Sequence, residues 1–125
     1  DMVSSLKLNA TVSNAVASVI INSLSPCSLR ILTGHSEYIH SISWNSDSTE
    51  ILTGSFDGTL KIWKALTGEI LNTFIVQYVS SAAWSPDGKM VSIGFFGGDL
   101  TIGSVKTGTN HFKKKFSETI RAVSW

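Results

Sequence analysis

The sequence predicts an all-β chain of about three four-stranded antiparallel units that do not close a ring on their own. Three observations carry that prediction. Trp44, Trp84 and Trp125 recur at intervals of 40 and 41 residues. Residues 38–68 laid on 78–108 give 11 identical positions of 31, where ordinary residue frequencies supply about two. No window has a helical apolar period, and several short runs alternate apolar with polar residues.

The elements follow in order. Tyr38–Trp44 carries Ile39, Ile42 and Trp44 among polar residues, as a half-buried strand does. Asn45-Ser46-Asp47-Ser48 is a turn cluster, matched by Ser85-Pro86-Asp87-Gly88 in the unit that follows, 75–116. Glu50–Ser55 is a second strand, and Phe56-Asp57-Gly58 is a tight hairpin turn. Thr59–Trp63 alternates with a period of two, and Thr67-Gly68 turns the chain into a fourth strand, Glu69–Phe74. The resulting division is 1–33, 34–74, 75–116 and 117–125. Residues 1–33 are the end of a preceding unit, with Val3–Leu8 and Arg30-Ile31-Leu32 as strands. Residues 9–29 form a long polar loop, or hold a further strand at Ala17–Ile21. Residues 117–125 are the first strand of a following unit. The stop in mid-unit points to part of a longer chain, with further units supplied in cis or by another chain.

Composition narrows the function. The chain has 125 residues, 42% hydrophobic, with net charge +1. That excludes a disordered chain and argues against nucleic acid as the main partner. A single cysteine, Cys27, cannot build a disulfide framework and fits a reducing, intracellular setting. One Cys with His35, His40 and His111 has no zinc-site spacing. Residues 8–29 are uncharged, but Asn9, Asn14, Asn22, five serines and Pro26 make them too polar to span a membrane. No metal or cofactor is expected.

A period of about 40–45 residues is that of a β-propeller blade. Closed propellers have about 4–8 blades, so this chain is a partial one. Gly34-His35, Trp44, Leu52-Thr53-Gly54-Ser55-Phe56-Asp57-Gly58-Thr59-Leu60-Lys61-Ile62-Trp63 and Thr67-Gly68 resemble the WD-repeat family. Lys64 stands where that family's second name-letter expects Asp. The resemblance implies a buried hydrogen-bond chain of His35, Thr53, Asp57 and Trp63. The chemistry suits burial, because indole donates, carboxylate accepts, and hydroxyl and imidazole do both. In the third unit, 75–116, Ile75, Ile93, Gly97 and Gly103 stand at those positions. That unit is degenerate and is expected to hold by apolar packing of Ala82, Trp84, Val91, Ile93 and Ile102.

Within the family, Leu6-Lys7-Leu8, Leu32-Thr33-Gly34-His35-Ser36 and Trp44-Asn45 are similar to the N-terminal propeller of a WD-repeat subunit of intraflagellar transport complex A. Ile102-Gly103-Ser104-Val105, Gly108, Lys113 to Phe116, Ile120, Val123 and Trp125 follow the same likeness. Phe112, where Trp is expected, and Asp57 depart from it.

The resemblance implies a non-enzymatic protein–protein scaffold, a subunit of a multi-protein complex in retrograde ciliary transport and cilium assembly. Its setting would be the cilium and cytoskeleton, with the membrane met only indirectly. The alternatives are a vesicle-coat subunit or a ubiquitin-ligase adaptor in the cytoplasm. Expected contact residues flank the inner strands: Glu37, Tyr38 and Phe56, then Gln77, Tyr78 and Phe96. Packing between blades is the competing role for the aromatics. Lys113-Lys114-Lys115 admits RNA or an anionic surface as another partner, against the simpler role of charge on an edge strand. His35, Ser55 and Asp57 are the residue types of a hydrolase triad, but no nucleophile elbow accompanies them, and no catalytic residue is assigned.

Overall fold

The computed structural model describes residues 9–13, 18–22, 29–105 and 107–125. The described residues hold eleven strands and no helix. The first sheet is β1 (Asn9–Ser13), β2 (Ser18–Asn22) and β3 (Leu29–Thr33). The second is β4 (Ile39–Trp44), β5 (Glu50–Ser55), β6 (Thr59–Lys64) and β7 (Ile70–Ile75). The third is β8 (Val79–Trp84), β9 (Met90–Phe95), β10 (Asp99–Ser104) and β11 (Asn110–Lys115). Every sheet is an antiparallel meander in sequence order. Together they form an unclosed all-β array of the propeller-fragment type.

Local chemistry sets the hairpins. Gly58 and Gly98 end the β5–β6 and β9–β10 turns at φ of 84° and 92°, a region that costs glycine nothing. Alternation along the strands then sorts side chains between two buried clusters. Ile51 of β5 and Trp63 of β6 join Val19, Leu32, Ile39 and Ala65 between the first two sheets. Leu52, Leu60 and Ile62 point the other way and meet Val79, Val91 and Ile93 of the third sheet. Because β5 is covered on both faces, it reads as a nearly continuous buried run.

The sheets meet through their inner strands. β8 packs on β4 and β5, and β4 packs on β1. Serines stitch this seam. Ser41 Oγ donates to the Ala82 carbonyl at 3.1 Å and accepts from the Ala82 amide at 2.8 Å.

Two expectations need correction. Residues 9–29 are not one long loop. β1 and β2 pair there from Asn9↔Asn22 to Ser13↔Ser18, and β2 pairs in turn with β3. A strand near Ala17–Ile21 is the alternative closer to what forms, as β2. Serine and asparagine disguise the hairpin, yet Val12, Val19, Ile20 and Ile21 give it β-branched content. Residues 117–125 are not a strand. They lie along β8, with the Val123 amide on Ser81 Oγ at 3.2 Å and the Trp125 indole on the Ala83 carbonyl at 3.1 Å. Among the described residues no strand pairs with them. The strand expected over Val3–Leu8 lies outside the described residues.

Gly54 and Gly94, identical across the repeat, both sit at close approaches: Gly54 to β8 and Gly94 to the segment 117–125. A Cβ on Gly54 would lie 2.4 Å from Val79 Cγ1 and 2.8 Å from Val79 Cβ. Val79 is fully buried and cannot retreat. Gly54→Ala is therefore expected to cost about 1–3 kcal/mol of unfolding free energy, by overpacking. Gly94→Ala is expected to cost less. Its Cβ would meet Ile120, which belongs to the segment without a ladder. Urea denaturation of both variants checks the pair, and equal losses would contradict the close-approach explanation.

Candidate functional site

The second unit contains a closed chain of polar side chains. His35 follows β3, Thr53 lies on β5, Asp57 is in the β5–β6 turn and Trp63 is on β6. Trp63 Nε1 donates to Thr53 Oγ1 at 2.8 Å. Thr53 Oγ1 and His35 Nε2 are 2.6 Å apart, and His35 Nδ1 and Asp57 Oδ2 are 2.8 Å apart. One proton assignment satisfies all of it: Nδ1–H donates to the carboxylate, and Nε2 accepts the threonine hydroxyl. Asp57 also accepts the Thr59 hydroxyl at 2.6 Å, the Thr59 amide at 2.8 Å and the Ser36 amide at 3.2 Å. Thr59 and Ser36 were missed in the sequence. Thr59 had a signal, since a threonine two residues after an aspartate in a turn is placed to bond it.

The electrostatics follow from burial and bonding. Burial lowers the pKa of His35 below its ordinary 6.5 and outweighs the opposing pull of the Asp57 hydrogen bond and charge; Lys61 lowers it further. For Asp57, burial pushes the pKa up, but bonds from Thr59, His35 and the Thr59 and Ser36 amides overcome it and hold the carboxyl at about 2. A neutral imidazole thus faces a carboxylate, with every donor used. Such a network locks a packing and leaves no free nucleophile or base. Ser55 is turned away from His35, donating to the Tyr38 carbonyl at 2.9 Å and accepting the Asp57 amide at 3.0 Å. Among the described residues there is no group of His, Cys, Asp or Glu able to hold a metal.

The third unit lacks this network. Ile93 is buried where Thr53 stands in the repeat, while Ile75, in the place of His35, is 91% exposed. Its core is apolar, with Ala82, Trp84, Val91 and Ile93 buried and Ile102 half-buried.

The expected contact residues gather at one end of the second and third sheets. Glu37 and Gln77 are exposed, and Tyr38 and Tyr78 are 55% and 62% exposed. Phe56 and Phe96 are half-buried and pack on each other across the two sheets, ring centroids 4.8 Å apart. Tyr78 meets Phe56 edge-on at 5.6 Å. His40, missed in the sequence, completes the cluster at 4.0 Å from Phe56 and 5.2 Å from Phe96. The phenylalanines therefore pack between sheets, while the tyrosines remain open. Lys113, Lys114 and Lys115 lie on β11, exposed throughout.

Residues 26–64 match the family model of the WD domain, G-beta repeat. Over those residues the chain is similar to a WD repeat. The matched stretch spans β3 to β6, so the repeat straddles two sheets and its polar chain ties them together. The THO complex subunit 6 of Arabidopsis thaliana is 50% identical over 36 residues, 29% of this chain and 10% of that protein. The WD repeat-containing protein 1 of Bos taurus is 42% identical over 48 residues, 38% of this chain and 8% of that protein. The chain thus spans a tenth or less of the length of these relatives.

Proposed function

We propose that the chain is part of a non-enzymatic protein–protein interaction scaffold within a multi-protein complex. The observation that carries this reading is the aromatic cluster at the sheet ends. Tyr38 and Tyr78 are left open beside the packed rings of Phe56, Phe96 and His40. Rigid aromatics with a polar tip make good interface anchors. One relative is by its name a subunit of a complex, which is consistent with the reading. Among the described residues no helix is long and apolar enough to cross a membrane.

A photo-crosslinking residue at Tyr78 of the full chain, in its own cells, tests the proposal. A discrete crosslinked protein, whose co-purification is lost in Tyr38→Ala/Tyr78→Ala without loss of folding, is the expected result. Co-purification untouched by the double substitution would refute this surface.

A finer reading makes the scaffold a subunit of intraflagellar transport complex A, in the cilium and on its cytoskeleton. It is carried by the resemblance around Leu32–Ser36 and Ile102–Val105. The two relatives above lend it no support, since neither is named for that transport. Failure of the tagged full chain to enter cilia or to co-purify with the complex would leave the cytoplasmic scaffold readings: a vesicle-coat subunit or a ubiquitin-ligase adaptor.

A further inference from the structure

The two sheet interfaces are built alike, with one exchange. Ile39, Ile51 and Ala65 of the first interface recur 40 residues on as Val79, Val91 and Val105 of the second. Trp63, 1% exposed in the first, recurs as Gly103. Gly34, which touches the Trp63 ring, recurs as Phe74. The Phe74 ring returns only part of the lost volume. A cleft of about 410 Å³ remains between the second and third sheets, with Leu60, Ile62, Val91 and Ile93 in its walls and Gly103 on its border. That size is in the range of ligand sites, about 300–1,000 Å³.

A second cleft of about 490 Å³ adjoins it, sharing Ile75, Val76, Ile93 and Asn110. Its wall carries Lys113, Lys114 and Lys115 with Asp99. Asp99 reaches Lys115 at 3.8 Å, and Lys114 lies 5.2 Å from the centre of the Phe116 ring. Lys113 has no acidic partner among the described residues. An apolar slot thus opens onto a face with three cations and one acid.

We propose that this double cleft binds an extended acidic segment of a partner protein, which inserts one aromatic side chain beside Gly103. The preceding unit shows what the slot accepts, because an indole fills the matching place there. The lysines supply the charge complement, which steers encounter and selects the partner. The proposal rests on the scaffold reading only in that the occupant is a protein, and its surface is separate from the tyrosine rim.

The test is fluorescence anisotropy of the full chain with a labelled acidic pentapeptide, Asp-Glu-Phe-Glu-Asp. Binding is expected to weaken about tenfold or more when the peptide's Phe becomes Ala, as for an interface anchor. The same loss is expected in Lys113→Glu/Lys114→Glu/Lys115→Glu, whose changes lie on a fully exposed strand and spare the fold. Phe74→Gly/Gly103→Trp, which copies the preceding unit, is expected to close the slot and abolish binding. If that variant fails to fold, the peptide pair and the lysine variant still decide. Tyr38→Ala/Tyr78→Ala is expected to leave peptide binding unchanged, so rim and cleft fail separately. No binding, equal binding of the Phe and Ala peptides, or tighter binding of a polyuridine RNA would overturn the proposal, the last by making the lysine face an RNA surface.

Discussion

Asp57→Ala is expected to lower the unfolding free energy by about 2–4 kcal/mol, because it leaves four donors, one of them fully buried, without their acceptor. Those donors are His35 Nδ1, the Thr59 hydroxyl and amide, and the Ser36 amide. Three of them sit next to water and recover part of their bonding. His35, whose side chain is fully buried, does not. Asp57→Asn keeps an acceptor oxygen and is expected to cost less. Chemical denaturation measures both, and an alanine variant within about 0.5 kcal/mol of the parent, the ordinary range for surface substitutions, would rule out a structural role.

The same network sets a pH dependence with a definite sign. His35 titrates below 6.5 when folded and near it when unfolded, so the unfolded chain binds more protons in that window. The stability contributed by neutral His35 is full above about pH 6.5 and is lost as the pH falls through its lowered folded value. Asp57 acts in the same direction further down, between its ordinary 3.8 and about 2. Melting temperature is expected to fall from pH 7 to pH 5, and the fall to be shallower in His35→Gln.

How much of this was legible depends on what each position had to do. The all-β class and the repeat were open to reading because strand alternation and turn chemistry recur at fixed spacing, and tryptophans mark the phase. His35, Thr53, Asp57 and Trp63 stand out because those residue types are unusual company in an apolar run. The β1–β2 hairpin was hidden because its polar residues mimic a loop. The failure of 117–125 to form a strand could not be read locally, since a ladder needs a neighbour. His40 and Phe74 were missed for a related reason: their partners lie in a different sheet, and sequence periodicity reports faces of one strand, not pairs across two.

The largest single loss is expected for Trp63→Ala, about 3–5 kcal/mol, from a buried aromatic removed together with its hydrogen bond. Trp63 is 1% exposed, its ring passes over Gly34, and its Nε1 donates to Thr53. The third unit shows how the fold lives without it. At that interface glycine stands at Gly103 on β10, and a ring stands at Phe74 on β7 of the facing sheet. The hydroxyl that accepts the indole N–H is also gone there, because Ile93 replaces Thr53 in the repeat. Each change alone is damaging. A Cβ on Gly34 would already press the Trp63 ring at 3.0 Å, and removing Trp63 leaves a cavity and takes one of the two hydrogen bonds of the Thr53 hydroxyl. Combined, the exchange of ring and glycine offsets part of the change in volume. Gly34→Phe/Trp63→Gly, which keeps the Thr53 bond to His35, is therefore expected to be more stable than Trp63→Gly alone, with a coupling of about 0.5–3 kcal/mol between the sites. Strict additivity in denaturation experiments would mean that the two units do not share one packing logic, and that the third sheet is held by contacts of another kind.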